Sequence, residues 1–419
     1  MNSSFSANSF TWLFLAALLA ATGTRLWLAA RQARHVRAHR DAVPPSFAGV
    51  IPLAAHQKAA DYTVAKIRLG VVDVAVDVAL LLALTLGGVL QIVSDLWAHW
   101  LSLNSLSHGT ALIFSVVMLQ SIISAPLELY RTFVIEERFG FNKMTWRLYI
   151  VDMLKSTALA AALGIPLLLS VLWLMQAAGS LWWLYVWILL VGYTVFLQFI
   201  APRFIMPIFN KFSPVKDPAL VERVQKLLDR CGYRSNGLFV MDGSKRSAHG
   251  NAFFSGFGAT KRIVLFDTLL ERLQPAEVEA VLAHELGHFK LHHIVKSMLV
   301  SWVITFGMLF VLGLLVDQDW FYAGLRVESQ SLAIALLLFM LVTPVFLYFT
   351  QPVAKLFSRR NEFAADEFAT RHANAEDLVR ALVKLYQDNA ATLTPDPIHS
   401  AFYDSHPPAA TRIARLRTA

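Results

Sequence analysis

The chain has 419 residues, of which 56% are hydrophobic and 16% are charged, and its formal net charge is +8. This balance is too apolar for a soluble globular protein of ordinary composition and indicates a protein that crosses a membrane several times. One cysteine, Cys231, excludes an intrachain disulfide framework, and the basic excess comes without a nucleic-acid-binding motif, so we expect no nucleic-acid partner.

Seven apolar runs are long enough to cross a hydrocarbon core of about 30 Å. They lie at residues 9–30, 71–94, 109–129, 156–176, 181–202, 298–316 and 332–350. The first run has no basic residue ahead of it, and we interpret it as a retained anchor. The second run carries Asp73 and Asp77 on one helix face. Either this face meets protein or water, or the two carboxylates reach the headgroups near a helix end.

Basic residues are unequally distributed between the connecting segments. The first run is followed by a cluster formed by Arg31, Arg34, Arg37 and Arg40. By the positive-inside rule this cluster is cytoplasmic and the N-terminus is outside. The segments then predicted inside are 31–70, 130–155, 203–297 and 351–419. They hold nearly all the Lys and Arg, whereas the outside loops contain only Arg326, so membrane orientation explains the net charge.

The chain therefore divides into a membrane region at 1–203, a cytoplasmic block at 204–297, two membrane helices at 298–350 and a C-terminal block at 351–419. In the first block an amphipathic helix is predicted from Asp217 to Cys231, and short strands from Gly237 to Met241 and from Arg262 to Phe266. Pro275 suits the first position of a long helix that we expect to run on into the sixth span. The last block is predicted to be helical to about Gln387, with a terminal helix near 408–417.

The predicted long helix contains His-Glu-Leu-Gly-His at residues 284–288. Two histidines four positions apart project from one helix face about 6 Å apart, which suits two ligands of one Zn²⁺. Glu285 lies beside that face, where it can take a proton from a water on the metal. The pattern is typical of zinc hydrolases.

A catalytic zinc ion usually has three protein ligands, so another donor must come from elsewhere in the chain. His292 lies on the same helix face, but its rise of about 12 Å from His284 is too large for both to bind one ion. The extended pattern of another protease class needs Gly and His where this chain has Leu291 and Ile294. That class is excluded.

Glu362, in the segment SRRNEFAADEFA at 358–369, is the stronger candidate for the third ligand. The hairpin of the sixth and seventh spans returns the chain to the side of His288, at a similar height. Asp366, one turn later, can then accept a hydrogen bond from a ligating imidazole. A solvated acidic face is the alternative for both carboxylates. For His406, the third candidate, we favour a hydrogen bond to the oxyanion of the reaction over ligation.

At these residues the chain resembles the integral-membrane type I CAAX prenyl proteases, a zinc endopeptidase family. The resemblance rests on six segments in the family's order, TFVIEERFGFNK at 132–143, PIFNKFSP at 207–214, NAFFSGFG at 251–258, VLAHELGHFK at 281–290, SRRNEFAADEFA at 358–369 and SHPP at 405–408. Each segment alone is weakly specific, but their joint order is highly specific and covers most of the chain beyond the first span.

The resemblance implies a mainly α fold in which seven membrane helices enclose a water-filled chamber, with a gluzincin-like protease domain and a small β-sheet on the cytoplasmic side. The site that it implies consists of His284, His288 and Glu362 as ligands of one Zn²⁺, Glu285 as general base, and Asn251 and His406 for substrate binding or transition-state stabilisation. NAFFSGF is implied to be an edge strand on which a peptide lies extended. The expected substrate contacts are Asn251, Ala252, Phe253, Phe254 and Arg412.

Three functions remain compatible with the sequence. The first is cleavage near the C-terminus of prenylated CAAX-type or similar amphipathic peptides, and the second is quality-control cleavage of misfolded membrane proteins. The third is a transporter or receptor in which Asp73, Asp77 and Asp152 form a solute path. The expected partners are a peptide or protein substrate, with or without a lipid, and the bilayer. Compact loops and a C-terminus without a retrieval signal favour a bacterial inner membrane, with the site facing the cytoplasm.

Overall fold

The computed structural model describes residues 6–255 and 262–418, and most of them are helical. The first seven helices are α1 (Ala7–Ala38), α2 (Leu53–Leu84), α3 (Val89–Ala98), α4 (Leu106–Tyr130), α5 (Trp146–Ala177), α6 (Trp182–Ile200) and α7 (Met206–Phe209). The strands are β1 (Phe212–Pro214), β2 (Leu238–Met241), β3 (Ala252–Ser255) and β4 (Arg262–Phe266). The remaining helices are α8 (Pro218–Arg230), α9 (Asp267–Leu270), α10 (Pro275–Lys290), α11 (His293–Leu315), α12 (Asp319–Ala323), α13 (Leu332–Leu347), α14 (Gln351–His372), α15 (Ala375–Asp388), α16 (Pro397–Tyr403) and α17 (Ala409–Leu416).

Within the described residues, six helical stretches are long and apolar enough to cross a membrane, or seven if α2 and α3 form one bent span. The six are Ala7–Ala38, Leu106–Glu136, Trp146–Ala177, Gly179–Phe209, His293–Leu315 and Leu332–His372. This range includes the predicted seven spans. The second span differs in form, because α2 and α3 meet at 51° instead of making one straight helix over 71–94. Gly88 has a φ of 75° at the break, a left-handed conformation that glycine adopts without steric cost.

The part of the chain between α7 and α11 contains a four-stranded sheet, as far as the described residues show, in the order β1-β2-β4-β3. The two strands predicted from their β-branched and aromatic residues are confirmed as β2 and β4, which pair in parallel. The segment from Ala252 to Ser255 pairs antiparallel with β4 at the sheet edge, as the resemblance implied. The short strand β1, in the PIFNKFSP segment, was not predicted.

The helix that carries residues 284–288 begins at Pro275, as predicted, but it does not continue into the sixth span. It ends at Lys290, His292 adopts a left-handed φ of 58°, and α11 starts at His293. The prediction of one continuous helix was therefore wrong. His292 itself is exposed.

α10 is the central helix of the core outside the membrane helices, because α8, α14, α15 and β3 all pack against it. Leu282, Ala283 and Leu286 are buried on it among side chains of these elements. A Cβ added at Gly287 would lie 3.1 Å from the Cα of Ala365 on α14. The absence of a side chain at this position lets the two helices approach closely enough for Glu362 to reach the histidines.

Candidate metal centre

The two histidines of α10 and one glutamate of α14 converge on a single point. His284 Nε2 lies 3.3 Å from His288 Nε2 and 3.5 Å from Glu362 Oε2, and His288 Nε2 lies 3.3 Å from Glu362 Oε1. Within the described residues these three side chains are the only group with the spacing of a metal site. The hairpin of α11 and α13 thus brings Glu362 of α14 next to the two histidines.

The spacing of the donor atoms fits a tetrahedral ion. Four ligands at about 2.1 Å from a metal lie about 3.4 Å apart, which is close to each of the three separations above. The buried Glu362 Oε2 also has no hydrogen-bond partner in the part of the chain that the structure describes. Lone pairs of two imidazoles and a carboxylate that face each other this closely repel unless a cation or protons lie between them, so the donor set fits a divalent metal.

Asp366 and Arg412 support the ring of His284 from behind. The Nδ1–H of His284 donates to Asp366 Oδ1 at 2.9 Å, which leaves Nε2 available as a metal ligand. Arg412 donates to both oxygens of Asp366, at 2.6 and 2.9 Å, and its Nη1 lies 3.6 Å from Glu362 Oε2. Arg412 was expected to contact the substrate peptide. In this structure it is buried, and its guanidinium faces these two carboxylates.

His293 is a neighbour of the site that the sequence reasoning missed. Its Nδ1 lies 3.0 Å from Nδ1 of His288, so it can accept a hydrogen bond from that ring while the Nε2 of His288 faces the metal position. His293 is buried, and it occupies this place only because the chain breaks at His292. In the sequence, His293 directly follows His292. A helix that continued through both residues would not have brought His293 to His288.

The site is strongly electronegative, and this shows in the acid–base properties of α10. Burial disfavours the charged ring of His284, but the carboxylates of Asp366 and Glu362 outweigh it and raise the pKa of His284 to about 9. Burial raises the pKa of Glu285 above its ordinary value, with the nearby histidines acting in the opposite direction. The site therefore attracts positive charge, and Glu285 is a better proton acceptor than an exposed glutamate.

His406 and Asn251 lie on two different segments, and both are exposed. The imidazole of His406 is 58% exposed, its Nε2 is 3.4 Å from Glu362 Oε1, and its Nδ1 is 3.0 Å from the hydroxyl of Ser405. Asn251 is exposed at the start of β3, where its Oδ1 accepts the backbone N–H of Ala252 at 2.8 Å.

On the edge strand β3, backbone groups rather than the buried side chains are available to a bound peptide. Ala252 and Phe254 are buried, and the ring of Phe254 packs 5.2 Å from that of Phe289 on α10. The carbonyl of Asn251 accepts the N–H of Phe266 at 3.0 Å, so antiparallel alternation directs the backbone groups of Ala252 and Phe254 away from β4. An extended peptide could pair there.

The acidic residues proposed for a solute path are mostly neutralised by arginine. Asp73 lies 3.0 Å from the guanidinium of Arg131, and Asp152 lies 2.7 Å from that of Arg246. Ion pairs of this kind hold helices and loops together and leave no continuous row of carboxylates, so the transporter alternative loses its basis.

The membrane helices and the His-Glu-Leu-Gly-His site define an integral-membrane metallopeptidase. Residues 32–211 match the family described as the CAAX prenyl protease N-terminal region with five membrane helices, and residues 214–419 match peptidase family M48. The chain belongs to the M48 metallopeptidases that carry this membrane domain, and it is a metalloendopeptidase.

Similar proteins extend over most of the chain. The CAAX prenyl protease 1 homolog of Arabidopsis thaliana is 36% identical, over 75% of this chain and 74% of its own length. The CAAX prenyl protease 1 of Saccharomyces cerevisiae is 38% identical over 71% of this chain and 69% of its own length, and the Caenorhabditis elegans homolog is 31% identical over 97% of each. The crystal structure of S. mikatae Ste24p aligns with a TM-score of 0.89 at 30% identity, and the alignment covers 97% of this chain and 98% of that one. This match confirms the predicted fold class, including the chambered membrane barrel.

Proposed function

We propose that this chain is a zinc endopeptidase that cleaves near the C-terminus of prenylated CAAX-type or similar amphipathic peptides. The observation that carries the proposal is the triangle of His284, His288 and Glu362 with the half-buried Glu285 beside it. The substrate class follows from the names of the relatives, all of which are CAAX prenyl protease 1 or its homologs.

The residues of the site have separate tasks in this proposal. When bound, Zn²⁺ would polarise the scissile carbonyl and acidify a water molecule. Glu285 takes the proton of the attacking water and later delivers it to the leaving amine. His406 and Asn251 hold the developing oxyanion and the substrate backbone by hydrogen bonds. Asp366 keeps the ring of His284 in the tautomer that leaves Nε2 unprotonated.

The substrate peptide is proposed to lie extended along β3. The outward carbonyl of Ala252 and the outward backbone groups of Phe254 would pair with it as an added strand. The half-buried Phe253 ring, on the opposite face of the strand from these two side chains, is the one available for side-chain contact. For Arg412 the buried pairing with Asp366 supports a role in holding the site rather than the substrate.

The membrane orientation belongs to the same proposal. The distribution of basic residues supports a cytoplasmic site and an outside N-terminus. A bacterial inner membrane remains our prediction from the compact loops, whereas the relatives named above are eukaryotic.

The test is hydrolysis of one peptide in prenylated and unprenylated forms by purified protein in detergent or lipid. We expect cleavage of the prenylated peptide, loss of cleavage with a chelator, and recovery when Zn²⁺ is added back. Glu285→Ala should retain one metal ion per chain and lose about a hundredfold to ten-thousandfold in kcat, because the general base is gone.

Two outcomes would count against this assignment. Metal-replete Glu285→Ala with near-normal turnover would remove Glu285 from the mechanism. Cleavage of a misfolded, unprenylated membrane protein as fast as the prenylated peptide would instead favour a quality-control protease.

A further inference from the structure

The segment that leads into β3 is attached to the connector between α4 and α5, which we define as residues 137–145. The N–H of Ala248 donates to the carbonyl of Phe141 at 3.1 Å, and the N–H of Lys143 donates to the carbonyl of Arg246 at 3.1 Å. Arg246 also pairs with Asp152 of α5, at 2.7 and 3.0 Å. The membrane region thus supports the chain immediately before Asn251.

His249 of this segment contacts both the membrane region and the C-terminal region. Its Nε2 lies 3.5 Å from Glu136 Oε2, at the end of the helical stretch Leu106–Glu136 that begins with α4, and its Nδ1 lies 3.1 Å from Asn389 Oδ1. The same Asn389 oxygen accepts the N–H of Gly250 at 3.3 Å, which fixes its orientation as an acceptor. The ring of Phe141 stacks on the imidazole with centroids 4.4 Å apart. Both ring nitrogens thus face side-chain oxygens, one of Glu136 and one of Asn389, so the ring is held from two sides.

Glu136 connects this contact to a second membrane helix. Its Oε1 accepts a hydrogen bond from the hydroxyl of Tyr62 on α2, while Oε2 faces His249. The side chain of Glu136 is 20% exposed, so water screens the pair only in part. One carboxylate therefore fixes α2, α4 and the segment before β3 relative to each other.

The position of Asn251 depends on this link. His249 precedes Asn251 by two residues, and its carbonyl accepts the hydroxyl of Thr268 at 3.0 Å. β3 has a pairing partner on one side only among the described strands, so the segment before it contributes much of its anchorage. A strand that must receive a peptide binds more tightly when its backbone is already held in place.

We propose that the Glu136–His249 pair is a positioning device that holds Asn251 and the backbone of β3 in register for the substrate peptide. The inference rests on the proposed function, because it assigns β3 to peptide binding. Neither residue contacts the metal ligands, so the pair acts on substrate binding rather than on the chemical step.

The experiment compares Glu136→Gln and His249→Gln with wild type, using the peptide of the preceding test and the full-length chain. We expect KM to rise about tenfold in each variant, the effect of losing one polar contact to a carboxylate, with kcat within about twofold and zinc content unchanged. The KM of the double variant should not exceed the higher of the two single-variant KM values, since both side chains act through one contact. Tyr62→Phe keeps the packing and should raise KM about threefold. It replaces Glu136→Gln in the comparison if that variant does not fold and accumulate.

Glu128→Gln is the matched control, because this glutamate lies on the same helical stretch, Leu106–Glu136, but pairs with Arg131 at 2.9 Å. Its KM should stay at the wild-type value. A fall in kcat or zinc content at unchanged KM in the test variants would mean a general structural role and would overturn the proposal, as would a KM equal to that of the control.

A binding measurement separates this inference from the proposed function. The Kd of a fluorescent form of the peptide is measured for zinc-loaded Glu285→Ala with and without Glu136→Gln. If wild type does not hydrolyse the peptide but Glu136→Gln weakens its binding about tenfold, the proposed function fails and the positioning role stands. A chain that does not bind the peptide contradicts both.

Discussion

His284 illustrates how neighbours prepare one side chain for a metal. Asp366 accepts its Nδ1–H at 2.9 Å, and Arg412 in turn holds both oxygens of Asp366. Arg412 and Asp366 are both buried, and the cost of removing their charges from water is offset by their bidentate contact. The ring therefore has one orientation, with Nε2 towards Glu362 and His288.

Asp366→Asn should weaken zinc binding by about ten- to a hundredfold, because the ring of His284 loses its anionic partner and Arg412 is left to attract Glu362. Metal content after dialysis against graded chelator concentrations measures the effect. Glu367→Gln is the control, since that neighbouring side chain is exposed and pairs with Arg371. Equal zinc retention by the two variants would show that Asp366 does not support the site.

At the scale of elements, the site depends on the close contact of α10 and α14. The Cβ that Gly287 lacks would lie 3.1 Å from Cα and 3.2 Å from O of Ala365, and 3.1 Å from Cβ of Phe368. Two of these three atoms are backbone, which cannot rotate away. A larger residue must therefore separate the helices, and Glu362 is one turn from the contact.

Gly287→Leu should consequently lose zinc even though both histidines remain, because the third ligand is moved away. Gly307→Leu on α11 is the control, as a Cβ there has no atom within 4 Å. Zinc per chain and thermal unfolding of the two variants are compared. A Gly287→Leu protein that holds zinc like the control would contradict the packing argument.

At the scale of the molecule, the first helix is tied to the last segment. Arg31 of α1 lies 2.9 Å from Asp396, and the N–H of Asp396 donates to Gln32 Oε1 at 2.6 Å. Burial opposes ionisation of Asp396, but the hydrogen bonds from Arg31 and from the N-terminus of α16 outweigh it and lower its pKa. These contacts hold the start of α16, the helix that precedes the loop with His406, so they join the membrane region to the peptidase region.

The predicted orientation can be tested with single cysteines in a Cys231→Ser background. Ser107 and Lys216 are both exposed and lie on opposite sides of the proposed membrane arrangement. A membrane-impermeant maleimide should label Ser107→Cys in intact cells and Lys216→Cys only after permeabilisation. Labelling of Lys216→Cys from outside would invert the topology and place the metal centre on the other face.

The sequence by itself determined the features that depend on neighbouring residues. Helical spacing places His284 and His288 on one face, apolar length marks the spans, and alternation of β-formers marks β2 and β4. The joint order of short segments identified the family. The bend at Gly88 was also visible in the Gly-Gly pair, but the apolar run was interpreted as one helix.

Only the tertiary structure decided which distant groups meet. The left-handed turn at His292 could not be predicted, because a non-glycine residue adopts it only when surrounding contacts hold it there. The turn brings His293 to His288, just as the folding of the last segment brings Arg412 to Asp366 and that of α4 brings Glu136 to His249. The separation of these residues along the chain does not reveal their distance in space. The packing of the elements therefore determines each of these contacts.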